Sequence, residues 1–228
     1  MTRQIIERPS ANHDARAPGA VIDMLILHYT GMRSGAEALD RLCDPTSRVS
    51  AHYLVEEDGT LYRLVDEGSR AWHAGISYWA GETDINGCSI GIEIVNPGHE
   101  FGYRPFPEAQ MDAVIELCHD IQSRHVIPPK RILGHSDVAP DRKQDPGELF
   151  DWRRLADEGV GVWPDIMTED ENPDETIARS LLTGIGYNPD TTPAVLLTAF
   201  QRHFRPALVD GALDAETLAL LRARTAIS

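Results

Sequence analysis

Between Gly134 and Gly147 the chain reads GHSDVAPDRKQDPG, which closes a predicted strand and then offers His135, Lys143 and Asp145 within eleven residues. An imidazole and a carboxylate on one loop can both turn toward a divalent cation, and a hydrolytic metal needs about three protein ligands and one open position. The best candidate for the third ligand is His28, at the end of the apolar run Val21 to Leu27, where a buried strand would present a polar side chain at the edge of its sheet. Two histidines and one aspartate make a zinc set. Singly, each has a plainer reading: a histidine at a strand end is commonly a hydrogen-bonded structural residue, and an aspartate before Pro146 passes as a turn residue. Lys143, two positions before Asp145, cannot serve as a ligand because an ammonium repels the metal. Its placement suggests a second role, beside charge that develops during a reaction.

Hydrolysis also needs a base. Glu93, in Ser89-Ile90-Gly91-Ile92-Glu93-Ile94-Val95, lies on an alternating strand among isoleucines, where a carboxylate is costly unless it works or is paired. The alternative is a structural salt bridge.

These residues must be held by a fold. Strands are predicted at Ile22–Tyr29, Ala51–Glu56, Leu61–Val65, Ser89–Val95 and Arg131–Gly134. The second and third flank Asp58-Gly59, a hairpin signal because both residues tolerate positive φ. Gly35–Leu42 reads as a short helix. Pro107–Arg124 reads as a long one, with Pro107 at its first position and Met111, Val114, Ile115, Cys118 and Ile121 on one apolar face. Strands interspersed with helices, and a hairpin among them, predict an α/β sandwich with a mixed central sheet flanked by helices. Residues 157–175 hold eight carboxylates and two prolines, which places an acidic linker at 164–173 between a catalytic unit, 1–163, and a helical unit, 174–228. Three short helices are expected in the latter: Glu175–Gly184, Pro193–Phe204 and Ala215–Ala223, with Thr192 and Asp214 as caps. Three such helices bury a modest core by themselves, so this unit should lean on the first or on a ligand.

The 228 residues, 42% hydrophobic and 25% charged, are those of a folded globular chain. A net charge of −15 argues against a nucleic-acid partner, which requires a basic footprint. Cys43, Cys88 and Cys118 lack CxxC spacing and read as free thiols. The N-terminal residues lack the apolar segment of a secretory signal, and no stretch approaches the ~18 apolar residues of a membrane span. The expectation is therefore a cytoplasmic protein, with the periplasm as the alternative if an export signal is missing from this chain.

Taken together, ILHYTG around His28, VSAHYLVEEDGTLYRLV, RAWHAG around His73, CSIGIEIVNPG around Glu93, GHSDVAPDRKQDPG and FDWRRLADEGVGVWP resemble, in order, the motifs of the type 2 N-acetylmuramoyl-L-alanine amidases, the AmpD-like and AmiD-like group. The resemblance implies that His28, His135 and Asp145 bind Zn2+, that Glu93 activates water and that Lys143 steadies the oxyanion. His52 is then a buried structural residue and His73 a cleft residue near the metal. Arg70 and Asn96 are positions from which an acidic stem peptide would be met, a solvated arginine and a turn asparagine being the alternatives. LLTGIGYNPDTTPAVLLTAFQRHFRPALVDGALDAETLALLRAR resembles a three-helix peptidoglycan-binding domain. The implied activity is hydrolysis of the amide between the lactyl group of N-acetylmuramic acid and L-alanine, with peptidoglycan fragments as partners and 1,6-anhydro muropeptides of cell-wall recycling as the expected substrates. The alternatives are an amidase acting on polymeric peptidoglycan, a muropeptide-binding recognition protein without turnover, and a peptidase cutting within the stem peptide.

Overall fold

The computed structural model describes residues 3–165 and 172–227. In chain order its strands are β1 (Ile5–Glu7), β2 (His13–Ala15), β3 (Met24–Tyr29), β4 (Tyr53–Val55), β5 (Leu61–Arg63), β6 (Ser69–Ala71), β7 (Ser89–Ile94) and β8 (Ile132–Gly134). The α-helices are α1 (Gly35–Cys43), α2 (Ile85–Cys88), α3 (Gly98–Phe101), α4 (Glu108–Arg124), α5 (His135–Val138), α6 (Trp152–Asp157), α7 (Glu175–Ile185), α8 (Pro193–Phe204) and α9 (Ala215–Ala226).

Six strands form a sheet in the order β1-β5-β4-β7-β3-β8, and β2 pairs with β6 in a separate ribbon. Every pairing in the large sheet is parallel except β4 with β5, the hairpin expected from Asp58-Gly59. Gly59 takes φ +84° there and donates its N–H to Glu56 O at 2.9 Å. The mixed sheet flanked by helices is as the sequence predicts.

Side-chain alternation sorts the sheet into two faces. Leu25, Leu27, Ile90, Ile92 and Ile94 point to one, where they join Met111, Val114, Ile115, Cys118 and Ile121 of α4 and Trp152 and Leu155 of α6 in one core. Met24, Ile26 and Leu133 point to the other and share a core with Leu182, Tyr187, Leu196, Phe200 and Leu218 of the C-terminal segment. Further along this second face, Leu54 packs with Ala38 and Leu42 of α1. Helices thus cover both faces.

Several boundaries differ from expectation. Arg131 belongs to a 3-10 turn, Pro129–Arg131, because Pro129 cannot donate to a ladder, and the strand starts at Ile132. Ala51, His52 and Glu56 lie outside β4. Pro107 is the residue before α4 and not its first: its extended backbone (ψ 148°) makes it a cap whose carbonyl accepts from Met111 N. Thr192 precedes Pro193 as expected but makes no side-chain cap bond, whereas Asp214 accepts from Thr217 N at 2.8 Å. Strands β1, β2 and β6 were not foreseen. The expected linker at 164–173 falls largely outside the described residues. The three cysteines are free thiols, and among the described residues no helix is long and apolar enough to cross a membrane.

Candidate metal centre and cleft

Strands β4, β7, β3 and β8 run parallel, so their C-terminal ends meet at one edge, where α/β folds place their ligands. In register, His28 of β3 is paired with Glu93 of β7, so both side chains emerge on the same face. The next strand, β8, ends at Gly134 and delivers His135 as the first residue of α5. Asp145 returns on the following loop, tied to α5 by Ser136 N donating to Asp145 O at 2.9 Å.

His28, His135 and Asp145, all buried, form a group able to hold a metal ion. The separations are 3.0 Å from His28 Nδ1 to His135 Nδ1, 2.9 Å from His28 Nδ1 to Asp145 Oδ2 and 3.1 Å from His135 Nδ1 to Asp145 Oδ2. Three donor atoms in a triangle nearly equal on all sides approach one face of a tetrahedron, whose edge is about 3.3 Å for metal–nitrogen bonds of about 2.0–2.1 Å. Lone pairs converging at such distances repel unless a cation lies among them.

Hydrogen bonds behind the triangle assign the tautomers that a metal requires. His135 Nε2 lies 3.0 Å from Ala74 O, so the proton resides on Nε2 and Nδ1 keeps its lone pair. For His28 the assignment passes through two more residues. Ser89 Oγ donates to Ile85 O, so it accepts from His73 Nε2 at 3.2 Å. His73 Nδ1 is then the acceptor for His28 Nε2, 3.1 Å away, and His28 Nδ1 is left with its lone pair free for a metal ion. Gly91 makes room for this chain of contacts, since a Cβ there would stand 2.4 Å from the His73 ring. Burial first, and the neighbouring His135 second, lower the His28 pKa to about 4, which keeps it neutral at pH 7. Burial also holds His73 well below its ordinary value. Burial pushes the Asp145 carboxyl upward, whereas a proton on His135 or His28, carried only without a metal, would outweigh this and draw it below its ordinary value. Two neutral imidazoles and one carboxylate fit Zn2+.

The triangle floors a cavity of about 490 Å³ lined also by Tyr29, Trp72, Glu93, Arg142 and Lys143. Glu93 is half-buried in the wall of this cleft, and its Oε2 is buried without a hydrogen-bond partner. Burial raises its carboxyl well above the usual range, the Asp145 charge adds to that rise, and Lys143 opposes it. A carboxyl in that environment is a poised proton acceptor. Arg142 reaches across to Ala74 O and Ile76 O and so pins the segment that carries His73.

Two of the residues expected to meet the stem peptide, Arg70 and Asn96, are placed away from this lining. Arg70 is absent from this lining because it is bound to Asp84 and Asp14 beside the β2–β6 ribbon. Asn96 is 1% exposed, donates to Arg104 O and accepts from Gly98 N, which makes it a turn residue. His73 does line the floor, but His28 and Ser89 occupy both its nitrogens. His52 is fully buried and accepts from Gly91 N, as its structural reading holds. Sequence reasoning missed Ser89 and Gly91; a glycine inside strand β7 is the signal that could have revealed the close approach.

The chain matches the family described as N-acetylmuramoyl-L-alanine amidase over residues 18–148. It is 38% identical over 249 residues to the N-acetylmuramoyl-L-alanine amidase AmiD of Escherichia coli, covering 96% of this chain and 89% of that protein. With the 1,6-anhydro-N-acetylmuramyl-L-alanine amidase AmpD of Haemophilus influenzae the identity is 34% over 163 residues, 64% of this chain and 86% of the relative. A solved structure of E. coli AmiD in complex with anhydro-N-acetylmuramic acid-L-Ala-D-γ-Glu-L-Lys superposes with TM-score 0.81 at 39% identity, over 91% of each chain. AmpDh3 from Pseudomonas aeruginosa in complex with an anhydromuramic pentapeptide gives TM-score 0.82 at 36% identity, over 89% of this chain and 90% of that one. By sequence and by fold, the chain belongs to the N-acetylmuramoyl-L-alanine amidase family.

Proposed function

We propose that this chain is a zinc-dependent amidase that hydrolyses the bond between the lactyl group of N-acetylmuramic acid and L-alanine, acting on soluble 1,6-anhydro muropeptides. The observation that carries the reading is the triangle of His28 Nδ1, His135 Nδ1 and Asp145 Oδ2 with Glu93 one strand away in register. His28, His135 and Asp145 would hold Zn2+. When bound there, the ion supplies Lewis-acid chemistry, acidifying water and polarising the lactyl carbonyl.

Glu93 takes the proton from the attacking water as the new C–O bond forms at the lactyl carbon. The same carboxyl then gives that proton to the alanine nitrogen as the C–N bond breaks. Lys143 offers its ammonium to the oxyanion of the tetrahedral intermediate. His73 does no proton transfer in this scheme; it fixes the ring of His28.

Incubation with an anhydromuropeptide, followed by mass analysis, tests the reading: free anhydro sugar and an intact stem peptide beginning with L-alanine are expected. Cleavage inside the peptide would make the chain a peptidase, and tight binding without cleavage would make it a recognition protein. Alanine at His28, His135 or Asp145 should abolish both bound zinc and turnover. Faster release of peptide from intact sacculi than from the soluble fragment would assign the polymer as substrate.

Residues 1–163 are proposed as the catalytic unit and 174–228 as a helical unit resembling peptidoglycan-binding domains. A net charge of −15 gives no attraction to the anionic wall polymer and suits small diffusing fragments, which is the argument for a cytoplasmic recycling role. Fractionation tests it: native protein recovered in the periplasm would overturn the compartment and leave the chemistry standing.

A further inference from the structure

Outside the cleft a buried polar cluster joins the turn that carries His135 to the C-terminal helices. Asp137, two residues after His135 on α5, is 1% exposed, Tyr187 after α7 is 0% and His203 on α8 is 3%. Asp137 Oδ2 accepts from Gly134 N at 2.8 Å and from His203 Nδ1 at 2.8 Å, while Oδ1 accepts from Tyr187 Oη at 2.7 Å. One carboxylate therefore closes the turn on which His135 stands and binds that turn to two distant parts of the chain, 50 and 66 residues further on. The His203 ring is stacked between Trp152, at 3.8 Å, and Phe204, at 3.9 Å, so it has little freedom to turn away.

The turn has no slack. A Cβ on Gly134 would stand 2.9 Å from Pro146 and 3.3 Å from Trp152, so the backbone is packed on both sides immediately before His135. One residue later, Ser136 N is bonded to Asp145 O. Movement of α5 thus displaces two corners of the ligand triangle together.

We propose that His203 and Tyr187, acting through Asp137, are positioning residues for the metal centre: the C-terminal helices fix the α5 turn and so set metal affinity from behind. This rests on the zinc reading above. The helices are then part of the catalytic machinery's frame, whatever else they bind. Removing one partner leaves a buried carboxylate short of a donor, and such a group turns toward what donors remain or draws in water. Either response loosens Gly134 N and the ligands beside it.

The test uses the full chain and two pairs of variants. Tyr187→Phe removes one hydroxyl and keeps the ring packed on Trp79. His203→Leu removes the donor, and His203→Asn restores an N–H near the position of Nδ1. Zinc dissociation constants are measured by chelator competition, beside thermal unfolding of the metal-free forms. Supporting outcomes are affinity about tenfold or more weaker in Tyr187→Phe and His203→Leu, with His203→Asn within about threefold of wild type, a size usual for residues that orient ligands. Affinities unchanged in both deletions, with only the metal-free melting temperature lowered, would reduce the cluster to a strut and overturn the proposal. Should His203→Leu not fold, Tyr187→Phe decides alone. Failure of the wild type to bind zinc would instead strike the zinc reading, a result separable from the others.

Discussion

Glu93→Gln separates the chemistry from the fold more sharply than any other single change. The side chain is half-buried in the cleft, its Oε2 is buried without a hydrogen-bond partner, and burial raises its carboxyl well above the usual range. Glutamine keeps the shape and cannot accept a proton. As the general base its loss should lower kcat by roughly 10²–10⁴, about 2.7–5.4 kcal/mol at 1.36 kcal/mol per tenfold change. Stability should move the other way, since a neutral amide spares the desolvation of a buried carboxylate; a gain of about 1 kcal/mol in the metal-free protein is expected. Zinc content should be unaltered, because Glu93 is not a corner of the ligand triangle. The assay is turnover of anhydromuropeptide at saturating substrate, with metal content and urea denaturation on the same preparations. Glu93→Asp supplies a control: the carboxylate is retained but withdrawn by about 1 Å, a displacement that can itself cost about 10²-fold. A Glu93→Gln enzyme turning over at the wild-type rate would refute the assignment and leave the floor of the cleft without a base, since both nitrogens of His73 are already engaged.

Lys143→Ala should lower kcat by about 10²–10³ with zinc retained, as expected for loss of an oxyanion donor; a change confined to KM would instead make it a substrate-binding residue. Gly91→Ala places a methyl 2.4 Å from the His73 ring, so the ring that fixes the His28 tautomer must shift: a stability cost of about 1–3 kcal/mol and zinc affinity weakened about 10–100-fold are expected, and unchanged affinity by chelator competition would sever His73 from the metal site. Glu67 gives a pH-dependent prediction. Burial raises its carboxyl, but hydrogen bonds from Arg124, Tyr53 and His125 outweigh this and bring it down from 4.5 to about 2. A depressed acid stabilises the fold above its unfolded pKa and loses that contribution as pH falls through its folded one, so Glu67→Gln should cost about 2 kcal/mol at pH 7, allowing for solvent screening. The gap should close between pH 4.5 and 2, and a gap in urea denaturation independent of pH would dismiss the ion-pair account.

Much of the site was legible because its chemistry is written in single residues on strong elements. His28 ends a run of apolar residues, Glu93 interrupts an alternation of isoleucines, and Asp145 with Lys143 stands on one short loop. What could not be read is who stands behind them. The proton order Ser89, His73, His28 depends on side chains from three segments meeting within hydrogen-bond distance, and no spacing in the chain encodes it. Arg70 and Asn96 mislead for the same reason: each flanks a cleft motif in sequence, yet Arg70 turns to Asp84 and Asn96 closes a turn. Strands β1, β2 and β6 have three residues each and are largely exposed or half-exposed, so no apolar alternation marks them in the sequence.

One feature of strand β3 carries further than its length suggests. Met24, Leu25, Ile26 and Leu27 are all apolar, so both faces of the strand must be covered. Helix α4 supplies the cover for Leu25 and Leu27, while Met24 and Ile26 require a second one, which the C-terminal helices supply in a core they share with the strand. The cover on the second face ends between Ile26, inside the shared core, and His28, two residues on, which opens into the cleft. The margin of the C-terminal helices therefore lies one strand position from the proposed metal ligands, and Asp137, the carboxylate that ties those helices to the His135 turn, sits at that margin. A helical appendage tethered at a distance would leave no such trace in β3; an apolar pair followed by a histidine on the same face is what a cover that stops at the active site demands.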